Sequence, residues 1–145
     1  MPVAVTVTLS NHFKYMLLTG AIDMDSDVFK VILMTTGYSF NPDTHATLAD
    51  VTSQQLSTGN GYTQDTTTLT KTASVVEDDA NDQASVAWDD VQWSAVGGSL
   101  GPFGAAVIYD DTTADKTVLG CVDFGISYEP PDGGVFTLKT LSLVL

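Results

Sequence analysis

The chain has 145 residues, 43% of them apolar and 16% charged, a length that suits one domain rather than two. Five Lys+Arg against 18 Asp+Glu leave a formal net charge of −13; a field of that sign repels phosphate backbones and anionic lipid, and argues against direct nucleic-acid or membrane partners. A single cysteine, Cys121, excludes an internal disulfide, and no apolar run approaches the roughly 18 residues of a membrane-spanning helix.

The opening Met1-Pro2-Val3-Ala4-Val5 has no basic region followed by a long apolar core, so no signal peptide is expected and synthesis in a cytoplasm is. Val3, Val5 and Val7 alternate with Ala4, Thr6 and Thr8, which predicts a short strand or, over 1–9, an extended N-terminal arm. Ser10 then offers a hydroxyl to cap a helix. Phe13, Met16, Leu17 and Gly20 follow at i, i+3, i+4 and i+7, giving one apolar face and a glycine suited to a left-handed close. That helix is too short to persist alone and must pack on a sheet.

Val28–Thr35 is almost continuously apolar, the pattern of a strand buried on both faces. From Thr36 to about Asp65 the chain is rich in Gly, Asn, Thr, Ser and Gln, with a short helical hint at Ala46–Val51. A stretch this long without regular elements suggests an interaction loop.

Beyond it the pattern is β. Leu69, Ala73 and Val75 alternate with Thr and Ser. The turn Asp78–Asp82 leads into alternating Ala84, Val86 and Trp88, and Asp89-Asp90 breaks the run before Val91 and Trp93 resume it. Val96–Pro102 reads as a loop. Phe103–Tyr109 and Val118–Phe124 read as hairpin partners joined through Asp110–Lys116. The chain reverses over Ser127–Gly134, and Val135–Leu145 reads as one long final strand. The sum is seven to nine strands and one short N-terminal helix: a mainly β, antiparallel sandwich or barrel-like domain spanning 1–145.

Little in this chain points to chemistry. Asp23, Asp25 and Asp27 alternate like the first ligands of a calcium loop, but Val28 stands where that loop needs Gly and Met34 where it needs Glu. An acidic turn is the simpler reading. His12 and His45 lack the partner spacing of a zinc site. Glu77-Asp78-Asp79, Asp89-Asp90 and Asp110-Asp111 fall where turns are predicted and are expected in solvent. Asp123, in mid-strand, is expected to be exposed or at an interface. Gly59-Asn60-Gly61-Tyr62 lacks the Lys and Ser/Thr of a phosphate loop. Trp88, Trp93 and Tyr109 are expected in the core or at an interface rather than in a sugar site, and Cys121 as a small buried hydrophobe. No catalytic, cofactor-binding or metal-ligating residue is assigned, and no cofactor.

The order of segments carries one further signal. Phe13–Gly20, Ile22-Asp23, Phe29–Met34, Gly59–Thr63, Asp89–Ser94, Ala105–Tyr109 and Val122–Gly125, taken together, resemble a family of small tailed-bacteriophage virion proteins. The resemblance implies a capsid decoration (cement) protein: not an enzyme, located on the capsid surface of the virion, with the major capsid protein and neighbouring copies as partners and a homotrimer compatible with three-fold shell positions. A tail or head–tail connector component is the alternative, and a carbohydrate-binding adhesion module using Trp88, Trp93 or Tyr62 a more distant one.

Overall fold

The structure, a computed structural model, describes residues 7–145. Among them the strands are β1 (Thr8–Leu9), β2 (Phe29–Thr35), β3 (Val76–Asp78), β4 (Gln83–Ala87), β5 (Val91–Ser94), β6 (Phe103–Asp110), β7 (Val118–Tyr128), β8 (Val135–Leu138) and β9 (Ser142–Val144). The helices are α1 (Asn11–Leu18) and α2 (Leu48–Val51), the second running into a 3-10 turn at Thr52–Gln54. The expected arm at 1–9 lies largely outside the described residues; its last two residues form β1.

All pairings are antiparallel. They build a four-stranded sheet in the order β1-β7-β6-β2, a three-stranded sheet β3-β4-β9, and a two-stranded ribbon β5-β8. The fold is mainly β, as expected, but no sheet closes on itself, which removes the barrel option.

The local chemistry of α1 matches its sequence. Ser10 holds an extended backbone and its Oγ accepts the N–H of Phe13 at 2.9 Å, satisfying one of the donors a helix start leaves unpaired. Phe13 is fully buried, and Met16 and Leu17 lean on the same core. Gly20 takes φ +76° and its N–H returns to the Leu17 carbonyl at 3.2 Å.

The β6–β7 hairpin forms as predicted and, with β2, carries the core on both faces. Alternation sends Phe29, Val31, Leu33, Ala106, Ile108, Leu119 and Val122 to one side. There they meet Val86, Trp88, Trp93, Leu138 and Leu143 from the two smaller sheets. Ile32, Met34, Ala105, Val107, Tyr109, Val118 and Cys121 form a second cluster on the other side. Its outer wall is the segment read from sequence as a polar loop: Val51 is buried in it, and Tyr38, Phe40 and Leu48 pack against it. That segment is therefore a lid over the sheet, with the helical hint at Ala46–Val51 realised as α2.

Two predicted strands are corrected. Val135–Leu145 is split into β8 and β9, which belong to different sheets. Thr140 turns the chain with φ +53°, and its N–H is held by the Asp90 carboxylate at 3.2 Å. Leu69–Val75 is not a strand; only Lys71 makes an isolated bridge, to Trp88. It is held by scattered bonds, among them Leu69 N–H to Phe29 O and Thr72 N–H to Ala87 O, and by the Lys71 ammonium, which binds the carbonyls of Met24 and Asp25.

Candidate interaction surface

The two margins of the four-stranded sheet differ. The outer margin of β2 is sealed by loop backbone and side chains. Val31 N–H donates to Thr67 O at 3.0 Å, Leu69 N–H to Phe29 O at 2.8 Å and Leu56 N–H to Leu33 O at 2.8 Å. The remaining Leu33 N–H donates to the hydroxyl of buried Tyr62 at 3.1 Å, which also accepts from Gln55 Nε2 at 3.0 Å. Unpaired strand backbone templates association; here most of it is already taken up.

The margin of β7 is different. Its first four residues are engaged: Val118 N–H donates to Ala46 O, Leu119 O accepts from Ser10 N–H, and Gly120 and Cys121 face β1. Gly120 lets β1 approach closely, since a Cβ there would overlap the Thr8 carbonyl. Beyond Cys121 no described strand pairs with this side of β7. Asp123, Gly125, Ile126 and Ser127 are exposed, Ile126 by 61%.

The same stretch bulges. Between the pairs Ala105↔Asp123 and Phe103↔Tyr128, β6 advances two residues and β7 five. Gly125 absorbs the excess at φ +74°, and its N–H is tied to the Asp123 carboxylate at 2.8 Å. A bulge of this kind re-aims side chains at a sheet edge. Beneath it, the rings of Phe124 and Tyr128 pack on Phe136 at 5.3 and 5.1 Å, and Phe103 meets Phe136 edge-on at 4.8 Å. The exposed margin thus rests on an aromatic base shared with β8.

Three of the five lysines are consumed within the fold: Lys30 and Lys116 both pair with Asp111, at 3.2 and 2.9 Å, and Lys71 pairs with Asp25 at 3.3 Å.

The residues singled out for chemistry are dispersed. Asp23 accepts the Asp25 N–H, Asp25 accepts the Val75 N–H and Lys71, and Asp27 accepts the Asp23 N–H. The three carboxylates of the acidic turn serve separate local bonds, and among the described residues no group of three His, Cys, Asp or Glu is placed to hold a metal. His12 pairs with Asp115 at 2.8 Å. His45 lies elsewhere, stacked on Tyr38, its Nδ1 accepting the Asn41 N–H at 3.1 Å. Trp88, Trp93, Tyr109 and Tyr62 are buried, so their faces are closed to a stacking sugar. Gly59-Asn60-Gly61-Tyr62 is a turn closed by reciprocal backbone bonds between Gly59 and Tyr62. Asp123 is exposed, and Cys121 is buried.

One acidic pair departs from expectation. Asp111 is half-buried, and Asp110 is only 1% exposed. Asp110 Oδ1 accepts the N–H groups of Thr112 at 2.8 Å and Thr113 at 3.3 Å. Its Oδ2 is buried without a hydrogen-bond partner, a state shared among the described residues only with Trp88 Nε1. Burial, with the Asp27 carboxyl beside it, pushes the Asp110 carboxyl up to about 7. The sequence signal was slight: Asp110 directly continues the apolar run of β6 and is followed by Thr112, Thr113 and Thr117, whose short side chains fold back on it.

Fold and surface together define a mainly β, antiparallel domain whose four-stranded sheet is covered along β2 and, among the described residues, unpaired along β7 beyond Cys121. No protein-family model matches the chain, and no curated protein or solved structure matches it either.

Proposed function

We propose that this chain is a bacteriophage capsid decoration protein that binds the outer shell of the major capsid protein and stabilises it. The exposed β7 margin from Asp123 to Ser127, with Ile126 at its centre, is the observation that carries the reading. Backbone groups on such a margin bind a neighbouring strand, and flanking side chains set specificity. A modest contact of this kind, repeated around a symmetric shell, stabilises it by mass action. The acidic surface keeps free copies apart and away from nucleic acid before docking. The ordered segments that resemble small virion proteins supply the setting.

The test is to add purified protein to phage heads that lack it, then locate it by sedimentation and immunogold labelling. Uptake on heads is expected, and Ile126→Asp is expected to weaken it at least tenfold without changing the protein's own stability. Label confined to tails would overturn the decoration reading in favour of a tail or connector part. Equal uptake of the variant would remove the β7 margin as the docking surface.

A further inference from the structure

We propose that Asp110 carries a proton that it donates to the Asp27 carboxylate, forming a protonatable latch that joins the acidic loop before β2 to the turn after β6.

Asp110 places one carboxylate oxygen on two backbone N–H groups, leaving Oδ2 buried with no donor. The loop bearing half-buried Asp27 is bonded to this turn through Val28, which brings a second carboxyl beside Asp110. A carboxylate buried beside a second carboxylate disfavours ionisation of both, whereas a proton on Asp110 makes it the donor and Asp27 the acceptor. Asp27 is positioned for this: its Oδ2 accepts the Asp23 N–H at 3.0 Å and its own N–H donates to Asp23 O at 2.9 Å. Two more bonds align the loops. Val28 N–H donates to Thr112 Oγ1 at 2.8 Å, and Asp111 N–H donates to Val28 O at 2.7 Å.

No cation among the described residues is hydrogen-bonded to the pair. The charged groups around it are Asp23 and Asp25 on the loop, Lys30 on β2, and Asp111, Asp115 and Lys116 on the turn. Lys30 and Lys116 bind Asp111, Lys71 binds Asp25, and Asp115 takes His12. A proton is therefore the partner this site lacks.

The sign follows from linkage. In the unfolded chain Asp110 titrates at the ordinary 3.8, and in the fold at about 7. The native state binds the proton more tightly, so the latch's contribution is full below about 4 and is lost as pH rises through about 7.

The experiment is a carboxyl-carbon NMR titration of the wild-type protein, with urea denaturation at pH 5 and pH 8. One Asp signal is expected to titrate near neutrality and to vanish in Asp110→Asn. That variant keeps an acceptor for Thr112 and Thr113 and gives Asp27 a permanent N–H donor. Its folding equilibrium constant at pH 8 is expected to exceed the wild-type value by about tenfold or more, with the difference closing at pH 5. Asp27→Asn should behave alike. No Asp titrating above about pH 5 in the wild type would overturn the latch, even if neither variant folds. So would calcium chloride at pH 8 raising the melting temperature of the wild type but not of Asp110→Asn, because the pair would then be taking a metal cation.

Discussion

The Ser10 hydroxyl donates to the Val118 carbonyl at 2.6 Å while accepting the N–H of Phe13 at 2.9 Å. One buried side chain thus starts α1 and fastens it to the head of β7. Ser10→Ala removes both bonds and leaves a buried carbonyl without its donor. A loss of about 2–3 kcal/mol is expected in urea denaturation, with Ser10→Thr recovering most of it.

Tyr62→Phe tests the seal on β2. The lost hydroxyl accepts from Leu33 N–H and Gln55 Nε2, so the buried Leu33 N–H is left unpaired and Gln55 Nε2 keeps only its bond to Asp65. A cost of about 1–3 kcal/mol is expected. Amide exchange at Leu33 should accelerate more than at residues of β6, which separates local opening from a general loss of stability.

Cys121 should be inert in the folded protein. Burial, and secondarily the Asp123 charge, pushes its thiol up to about 12, and the thiolate is the reactive form. Ellman's reagent is expected to label it only on unfolding. Asp123→Asn should leave native labelling negligible, since burial is the larger cause; rapid labelling of the native wild type would contradict the placement of Cys121 in the second core cluster.

Acid should unfold the protein through carboxylates held in the opposite sense to Asp110. The Lys116 ammonium, and then Lys30, holds Asp111 below its ordinary 3.8; the Thr47 N–H does the same for Asp50. Their stabilisation is present above 3.8 and lost as pH falls through their lower native values. Asp111→Asn should cost about 1 kcal/mol at neutral pH, and the gap should narrow below the ordinary Asp value. Because the Asp110 effect runs the other way, stability should peak between these two limits.

How much of this was legible in the sequence depends on whether a signal is local. The capped start of α1 and the continuous apolar runs of β2, β6 and β7 carry their own periodicity, and each element starts close to where the sequence places it, but β7 runs on past Phe124 to Tyr128, into residues read as the start of a chain reversal. Tyr38, Phe40, Leu48 and Val51 follow no period, because they come from an irregular segment that conforms to a sheet built by other residues. A polar composition therefore hid a lid. The break in Val135–Leu145 was hidden for a related reason. Thr140 belongs to a type that favours strands, and its left-handed backbone is imposed by the tertiary contact with Asp90. The open margin on β7 was not legible at all, since which strand stands at an edge depends on pairing order and not on its own residues. Asp110 was misjudged because turn composition gives no measure of how deeply a turn is packed.

The sealed flank of β2 limits how copies of this protein can join through their sheets. A sheet open on both sides propagates, each addition exposing a fresh place for the next. With that flank covered by Thr67, Leu69, Leu56 and Tyr62, a strand received at β7 extends the four-stranded sheet on one side alone. Edge-to-edge growth of this sheet is thereby confined to one flank, a poorer starting point for a fibre than a sheet with two free edges.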